Sequence, residues 1–89
     1  LGISSLELLA QVTALIKKQG YKLGNLDSIV VAQKPKLAPY IEQMRLNIAG
    51  VLQVDPAVVS IKATTSEHLG FTGREEGISA QAVVLLIPI

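Results

Sequence analysis

The residues best suited to chemistry lie in one segment, "KATTSEHLGFTGREEG", which runs from Lys62 to Gly77. Three consecutive hydroxyl side chains, Thr64 to Ser66, are followed by Glu67 and then by His68. Hydroxyl groups beside the free backbone amides of a helix start are suited to binding a phosphate. A carboxylate oxygen is a preferred ligand of hard divalent cations. The segment therefore has the side chains of an anion site, with Glu67 available to a metal ion.

The same letters also have a purely structural interpretation. Thr64 and Glu67 have the spacing of a capping box, in which each side chain accepts a hydrogen bond from the other residue's backbone amide. Such patterns are short and common, so the cap is the first interpretation to consider. The two interpretations are compatible, because a capped helix start can also present donors to a ligand.

The second half of the segment, "GFTGREEG", combines three glycines with one arginine. The glycines predict a loop whose backbone adopts positive φ or approaches another group closely. Arg74 can bind a phosphate through two parallel hydrogen bonds, or it can pair on the surface with Glu75 or Glu76. The spacing differs from that of a Walker loop, which excludes a P-loop nucleotide site.

His68 is expected to be solvated or partly packed rather than a ligand. It is the only histidine, and the chain has no cysteine. One imidazole cannot build a zinc site alone, and it cannot form a catalytic triad without a nucleophile and an orienting group.

Length and composition limit the class of protein. The chain has 89 residues, of which 49% are apolar and 17% charged, with a net charge of +1 and three aromatic side chains. That length allows one domain, and the weak charge and few aromatic residues argue against a nucleic-acid platform. The longest apolar run, Ala82 to Ile89, is too short to span a bilayer. Such a small apolar domain is expected to bury part of its surface against another subunit.

The order of predicted elements is helix, strand, helix, strand, glycine-rich connection, strand. The first helix begins at a capping box formed by Ser4 and Glu7 and ends near Gly20. The strand that follows is expected to be buried on both faces. This order predicts an α+β two-layer sandwich with a mixed or antiparallel sheet and both helices on one face. The other sheet face has no helix left to cover it, so sheets are expected to pack together between subunits.

A second candidate site follows the first strand, in the segment "AQKPK" from Ala32 to Lys36. Ligands often bind outside the carboxyl ends of strands in α/β sheets. Lys34 and Lys36 weakly favour an anionic ligand. A plain connection between strand and helix is the alternative.

Two separated motifs carry a resemblance to a known family. "QGYKLGNLDSIVVAQKPKLAPYIEQMR" and, further along the chain, "KATTSEHLGFTGREEGI" resemble, in this order, segments of 2-C-methyl-D-erythritol 2,4-cyclodiphosphate synthase. The resemblance covers nearly the whole chain. It implies an enzyme of the non-mevalonate isoprenoid pathway that cyclises 4-diphosphocytidyl-2-C-methyl-D-erythritol 2-phosphate and releases CMP. It also implies that residues 1–89 are a single domain forming the C-terminal portion, without the N-terminal zinc ligands.

The resemblance implies specific roles for residues. Thr65 matches the residue that stabilises the transition state, and Glu67 matches a ligand of the magnesium that bridges the diphosphate. Phe71 and Arg74 match residues that line a cavity on the threefold axis of a homotrimer. Two larger sets are implied: a phosphate-binding set of Thr64, Thr65, Ser66 and Glu67, and a cytidine-binding loop of Ala32, Gln33, Lys34, Pro35, Lys36, Leu37 and Ala38.

The resemblance further implies cofactors and partners. Zinc and either magnesium or manganese would serve the parent enzyme, whose active site lies between subunits of a homotrimer in the bacterial cytoplasm or the plastid stroma. The expected partners are a small CDP-containing substrate and further copies of the chain, without nucleic acid or membrane. The chain alone is expected to be inactive. The alternative is a non-catalytic trimeric α+β module that binds a small anionic ligand between subunits.

Overall fold

The computed structural model describes residues 4–32, 36–65 and 77–89. These residues form two helices and three strands, joined in part by single turns of 3₁₀-helix at Ala38–Tyr40 and Pro56–Val58. The elements are α1 (Ser5–Lys18), β1 (Tyr21–Val31), α2 (Ile41–Leu52), β2 (Val59–Thr64) and β3 (Ser79–Pro88). The predicted α+β architecture is therefore confirmed.

The three strands form one mixed sheet in the order β2–β1–β3. β1 pairs in parallel with β2, where Val31 lies opposite Thr64, and antiparallel with β3, where Val31 lies opposite Ser79. The carboxyl ends of β1 and β2 and the amino end of β3 therefore meet at one edge of the sheet. This edge, marked by Val31, Thr64 and Ser79, is called the upper edge below.

The limits of α1 follow the signals in the sequence. The Glu7 backbone N–H donates a hydrogen bond of 3.2 Å to Ser4 Oγ, which confirms half of the predicted capping box. After the helix, Gly20 adopts a φ of 88°, a conformation that glycine accepts without steric cost. Neither described helix has the length and apolar content that a membrane span requires.

α2 ends in a Schellman motif whose left-handed position is occupied by Gln53 and not by glycine. The Gln53 N–H donates to the Gly50 carbonyl at 3.3 Å, and the Val54 N–H donates to the Ala49 carbonyl at 3.1 Å. Gln53 has a φ of 57°, a left-handed conformation that usually falls to glycine. The motif turns the chain toward the start of β2.

The core lies between the helices and one face of the sheet. Ala49 and Leu52 of α2 are buried against Val59 and Ile61 of β2. Partly buried side chains of both helices and of β1 surround them, among them Leu9, Leu23, Leu26, Ile41, Met44 and Ile48. Both helices contribute to this single cluster, as the predicted two-layer arrangement requires.

The opposite sheet face, called the open face below, is uncovered by the described residues. Along β1, Asp27 and Ile29 point to this face while Leu26, Ser28 and Val30 point to the helices, as the alternation in the sequence predicts. Ile29 is 37% exposed and Val83 of β3 is 74% exposed. The expectation that β1 is buried on both faces is therefore wrong for this chain by itself, because both helices lie on the same side.

Candidate functional site

The two predicted ligand segments start at neighbouring points on the upper edge. The parallel pairing of β1 and β2 places Val31 opposite Thr64. One residue further, the Ala32 N–H donates a hydrogen bond of 3.0 Å to the Thr64 carbonyl. The loop after β1 and the hydroxyl motif after β2 therefore leave the sheet side by side, although 32 positions separate Ala32 from Thr64 in the sequence.

A cavity of about 180 Å³ lies between these two segments. The loop after β1 forms one wall and the end of β2 forms the other. Its lining residues are Ala32, Lys36, Leu37 and Ala38 on the first side, and Ala63, Thr64 and Thr65 on the second. The structure thus brings together residues that the resemblance assigns to cytidine binding and to phosphate binding.

Small and apolar side chains form most of the cavity wall. Ala32 is buried and Leu37 half-buried, whereas Lys36 and the two threonines are exposed. Thr64 Oγ1 donates to the Thr65 carbonyl at 3.3 Å, which holds the first hydroxyl near the cavity. An apolar slot with hydroxyls and an ammonium group at its border suits a ligand with a flat, weakly polar part and an anionic part.

A 3₁₀ turn fixes the loop side of the cavity. The Tyr40 N–H donates to the Leu37 carbonyl at 2.8 Å, and Pro39 lies within the turn. The sequence predicts Pro39 in the first turn of the second helix, whereas α2 itself begins at Ile41. The proline ring restricts the backbone at the point where the loop passes into α2.

One supporting interaction lacks a motif in the sequence. The Arg45 guanidinium on α2 donates to both carboxylate oxygens of Glu42, at 2.7 and 3.1 Å, and also to the carbonyl of Pro56. The hydrogen bond from Arg45 lowers the pKa of Glu42 from its ordinary value of 4.5. The link ties α2 to the turn that enters β2, and the spacing of three residues between Glu42 and Arg45 is the only signal for it in the sequence.

Several predicted site residues lie outside the described residues. They are Gln33, Lys34 and Pro35 of the cytidine-binding loop, Ser66 and Glu67 of the phosphate-binding set, His68, and Phe71 and Arg74 of the threefold cavity. Because Glu67 lies outside them, so does one half of the second predicted capping box, between Thr64 and Glu67. The ends of this segment, Thr65 and Gly77, adjoin the strand ends at the upper edge.

The described residues provide few donor groups for a metal ion. Within residues 4–32, 36–65 and 77–89, no group of three His, Cys, Asp or Glu side chains is placed to hold a metal ion. The described cavity offers two threonine hydroxyls and one lysine ammonium, and an ammonium group cannot be a ligand. These donors do not fit a divalent cation without a carboxylate from elsewhere.

The fold and the cavity together define a small α+β domain with a candidate ligand cavity at the carboxyl ends of the parallel strands of a mixed sheet. The YgbB family model matches residues 1–87. The chain therefore belongs to the YgbB family. Its relatives include 2-C-methyl-D-erythritol 2,4-cyclodiphosphate synthases of Clostridium acetobutylicum, 59% identical over 86 residues, and of Desulfitobacterium hafniense, 59% identical over 88 residues.

Solved structures with the same fold support this membership. The synthase of Plasmodium vivax superposes with a TM-score of 0.93 at 36% identity, over 97% of this chain and 57% of that one. The CDP complex of IspF from Plasmodium falciparum superposes with a TM-score of 0.90 at 38% identity, over 96% of this chain and 55% of that one. A nucleoside diphosphate, CDP, thus binds to a relative of the same fold.

The chain spans about half the length of the relatives that it matches. The alignment to the Clostridium acetobutylicum protein covers 97% of this chain and 56% of that protein. The alignment to the Desulfitobacterium hafniense protein covers 99% of this chain and 56% of that protein. Activity that depends on a whole relative therefore involves residues beyond those that align here.

Proposed function

We propose that residues 1–89 form the C-terminal part of a 2-C-methyl-D-erythritol 2,4-cyclodiphosphate synthase. The carrying observation is the cavity at the upper edge, where the Ala32 loop and the Thr64–Thr65 hydroxyls form opposite walls. The CDP complex of a relative at 38% identity supports a nucleoside diphosphate as the ligand class. The enzyme would be a phosphorus–oxygen lyase that releases CMP.

The two walls of the cavity suit different parts of the ligand. The side of the cavity at Ala32, Leu37 and Ala38 is largely apolar, which suits a pyrimidine ring held by backbone groups of the loop. The hydroxyls of Thr64 and Thr65 border the other wall, where a diphosphate would follow the ring. Lys36 is exposed on the loop side and contributes positive charge toward the phosphates.

The reaction that we propose needs no covalent nucleophile from the protein. An oxygen of the substrate's own 2-phosphate attacks the β-phosphorus of the CDP group. The bond from that phosphorus to the oxygen shared with the α-phosphate breaks, and CMP leaves with the electron pair. Catalysis then consists of holding the two phosphates in line and neutralising developing charge. Thr65 would stabilise the transition state through its hydroxyl and its backbone position next to Thr64.

The metal requirement belongs to the same proposal. Glu67 lies two positions after Thr65 and is the first carboxylate after β2. We assign it to a magnesium or manganese ion at the diphosphate, with Ser66 adding a further hydroxyl. Zinc ligands would come from the upstream part of the enzyme, so the 89-residue chain alone is expected to be inactive.

Assembly and location complete the proposal. The site would lie between subunits of a homotrimer, with Phe71 and Arg74 toward the threefold axis and the open faces packed together. The Clostridium and Desulfitobacterium relatives are bacterial proteins, which supports a cytoplasmic location in a bacterium.

A hybrid protein tests the function. The upstream part of the Clostridium acetobutylicum relative is joined before Leu1, and CMP release is measured with substrate and divalent metal. We expect turnover by the hybrid and none by the 89-residue chain. Thr65→Ala in the hybrid should slow turnover by about 100-fold, the usual loss for one transition-state donor, while Thr65→Ser should retain most of it.

Two results would contradict the proposal. One is a folded, CDP-binding hybrid without CMP release. The other is full turnover in the Thr65→Ala hybrid. The first outcome would favour the non-catalytic module that binds a small anion.

A further inference from the structure

The open face divides into an apolar column and a polar column. β3 presents Val83, Leu85 and Ile87, which are 74%, 55% and 40% exposed. On the other side of the face, β2 presents Ser60 and Lys62, both exposed. β1 lies between them and contributes Asp27 and Ile29. A face of this kind has an apolar part that gains from burial and charges that must be paired when buried.

Asp27 and Lys62 carry opposite charges near the middle of this face, whereas Lys22, a further charge that the β1–β3 register places on it, lies opposite Ile87 toward the other end. Asp27 lies opposite Ser60 in the β1–β2 register, and Ile29 lies opposite Lys62. The two charged residues are therefore diagonal neighbours on adjacent strands, and both line a cavity of about 230 Å³ with Ile29, Gln81 and Val83. In the described part of the chain, no ion pair joins Asp27 to Lys62.

Burial of the apolar column would bring these charges out of water. A neighbouring copy that covers Val83 also covers the cavity in which Asp27 and Lys62 lie, since all three residues line it. A charge buried without a partner destabilises an interface strongly, whereas a paired charge is tolerated. The face must therefore meet a surface that offers a carboxylate near Lys62 and a cation near Asp27.

A second copy of this chain offers both groups. In a cyclic trimer, one patch of a subunit meets a different patch of the next subunit. The charges here lie on different strands, Asp27 on β1 and Lys62 on β2, so each can reach the opposite charge on another copy. We propose that Asp27 of one copy pairs with Lys62 of the neighbouring copy, and that this pair fixes the register in which the open faces assemble. The inference rests on the self-association within the proposed function.

The ion pair would select one packing register between the faces, which the apolar column alone does not do. Val83, Leu85 and Ile87 repeat every second residue along β3, so apolar contact alone allows the faces to slip by two residues. Opposite charges at a single level disfavour slipped arrangements, because like or unpaired charges would then be buried.

A charge swap tests the pair. Self-association of the 89-residue chain is measured by sedimentation velocity for the unchanged chain, Asp27→Lys, Lys62→Asp and the double variant, with circular dichroism as the control for folding. Each single variant should raise the dissociation constant at least about tenfold, and the double variant should restore most of the loss. The matched control Lys18→Glu reverses a charge at the end of α1 and should leave association unchanged.

The contrary outcomes are distinct. A monomeric unchanged chain, or association only with a foreign protein, overturns the inference. So does a folded double variant that associates as poorly as the single variants, and so do single variants that associate normally. CMP release by the hybrid protein is measured separately, so the pairing can fail while the proposed function stands.

Discussion

The Ala32 N–H donates a 3.0 Å hydrogen bond to the Thr64 carbonyl, and this bond connects two segments that the sequence keeps apart. It extends the parallel pairing of β1 and β2 by one residue beyond Val31 and Thr64. The loop after β1 cannot then drift away from the hydroxyl motif. A cavity with one apolar wall and one hydroxyl-bearing wall is the result.

Filling the cavity should weaken ligand binding with little effect on folding. Ala38 lines the cavity and is exposed, so Ala38→Leu adds volume on the loop wall without entering the core. We expect the affinity of the hybrid protein for CDP, measured by calorimetry, to fall at least about tenfold, which corresponds to about 1.4 kcal/mol.

Ala57→Leu is the matched control for that change. Ala57 is also an exposed alanine beside a proline in a 3₁₀ turn, Pro56–Val58, but it does not line the cavity. Its replacement should leave CDP affinity unchanged. Equal affinity in both variants would place the ligand elsewhere.

Gly50 is a point where the chain can be stabilised. It lies inside α2, and a Cβ added there meets nothing within 4 Å. Gly50→Ala should raise the free energy of unfolding by about 0.5–1 kcal/mol, because alanine loses less backbone entropy in a helix. Urea denaturation measures the change.

Gly20 provides the opposite test. A Cβ at this position also meets nothing, but its φ of +88° disfavours any L side chain. Gly20→Ala should therefore lower the free energy of unfolding, by about 1 kcal/mol. A Gly20→Ala protein with a higher free energy of unfolding would show that the backbone conformation does not determine the effect of the substitution at these two positions.

The Glu42–Arg45 pair should make stability depend on pH. The hydrogen bonds that Arg45 donates to the Glu42 carboxylate lower the pKa of Glu42 from 4.5, so the folded state favours the ionised carboxylate. The stabilisation is present above pH 4.5 and disappears as pH falls through the lowered folded-state pKa. We expect Glu42→Gln to lower the melting temperature at pH 7 and the two proteins to converge at acid pH, below the lowered folded-state pKa of Glu42. A difference in melting temperature that does not shrink as the pH falls would assign the effect to packing instead.

Much of the fold could be predicted from local signals. The Ser4 cap and the alternation along β1 each depend on neighbouring residues, and the structure confirms them. Pro88 is predicted at an edge or a strand end, and it ends β3 at the edge of the described sheet.

Other features depend on contacts that sequence spacing does not encode. Gln53 adopts a left-handed conformation because the Schellman motif requires it, although glycine is the residue that predicts such a turn. The link from Arg45 to the Pro56 carbonyl depends on where α2 lies relative to β2. Apolar residues on both faces of β1 predict burial on both sides. The sequence of the strand does not show whether the same chain or another one covers the second face.

The candidate site shows the same division. Residue types identified Thr64, Thr65 and the Ala32 loop separately, and the family resemblance assigned them to one ligand. Only the parallel register of β1 and β2 shows that the two segments form opposite walls of one cavity. Roles assigned to Ser66, Glu67, Phe71 and Arg74 remain predictions from the resemblance.

A titration of the hybrid protein with CDP, followed by amide chemical shifts, tests the central claim most directly. The account predicts that the largest shifts occur at Ala32, Lys36, Leu37, Ala38 and Thr65, while Gly20 and Gln53 at the far end of the sheet stay unchanged. Chemical-shift changes centred near Gly20 and Gln53 would contradict the assignment of this cavity to the nucleoside diphosphate. The absence of any shift change at millimolar CDP in a folded protein would contradict it too.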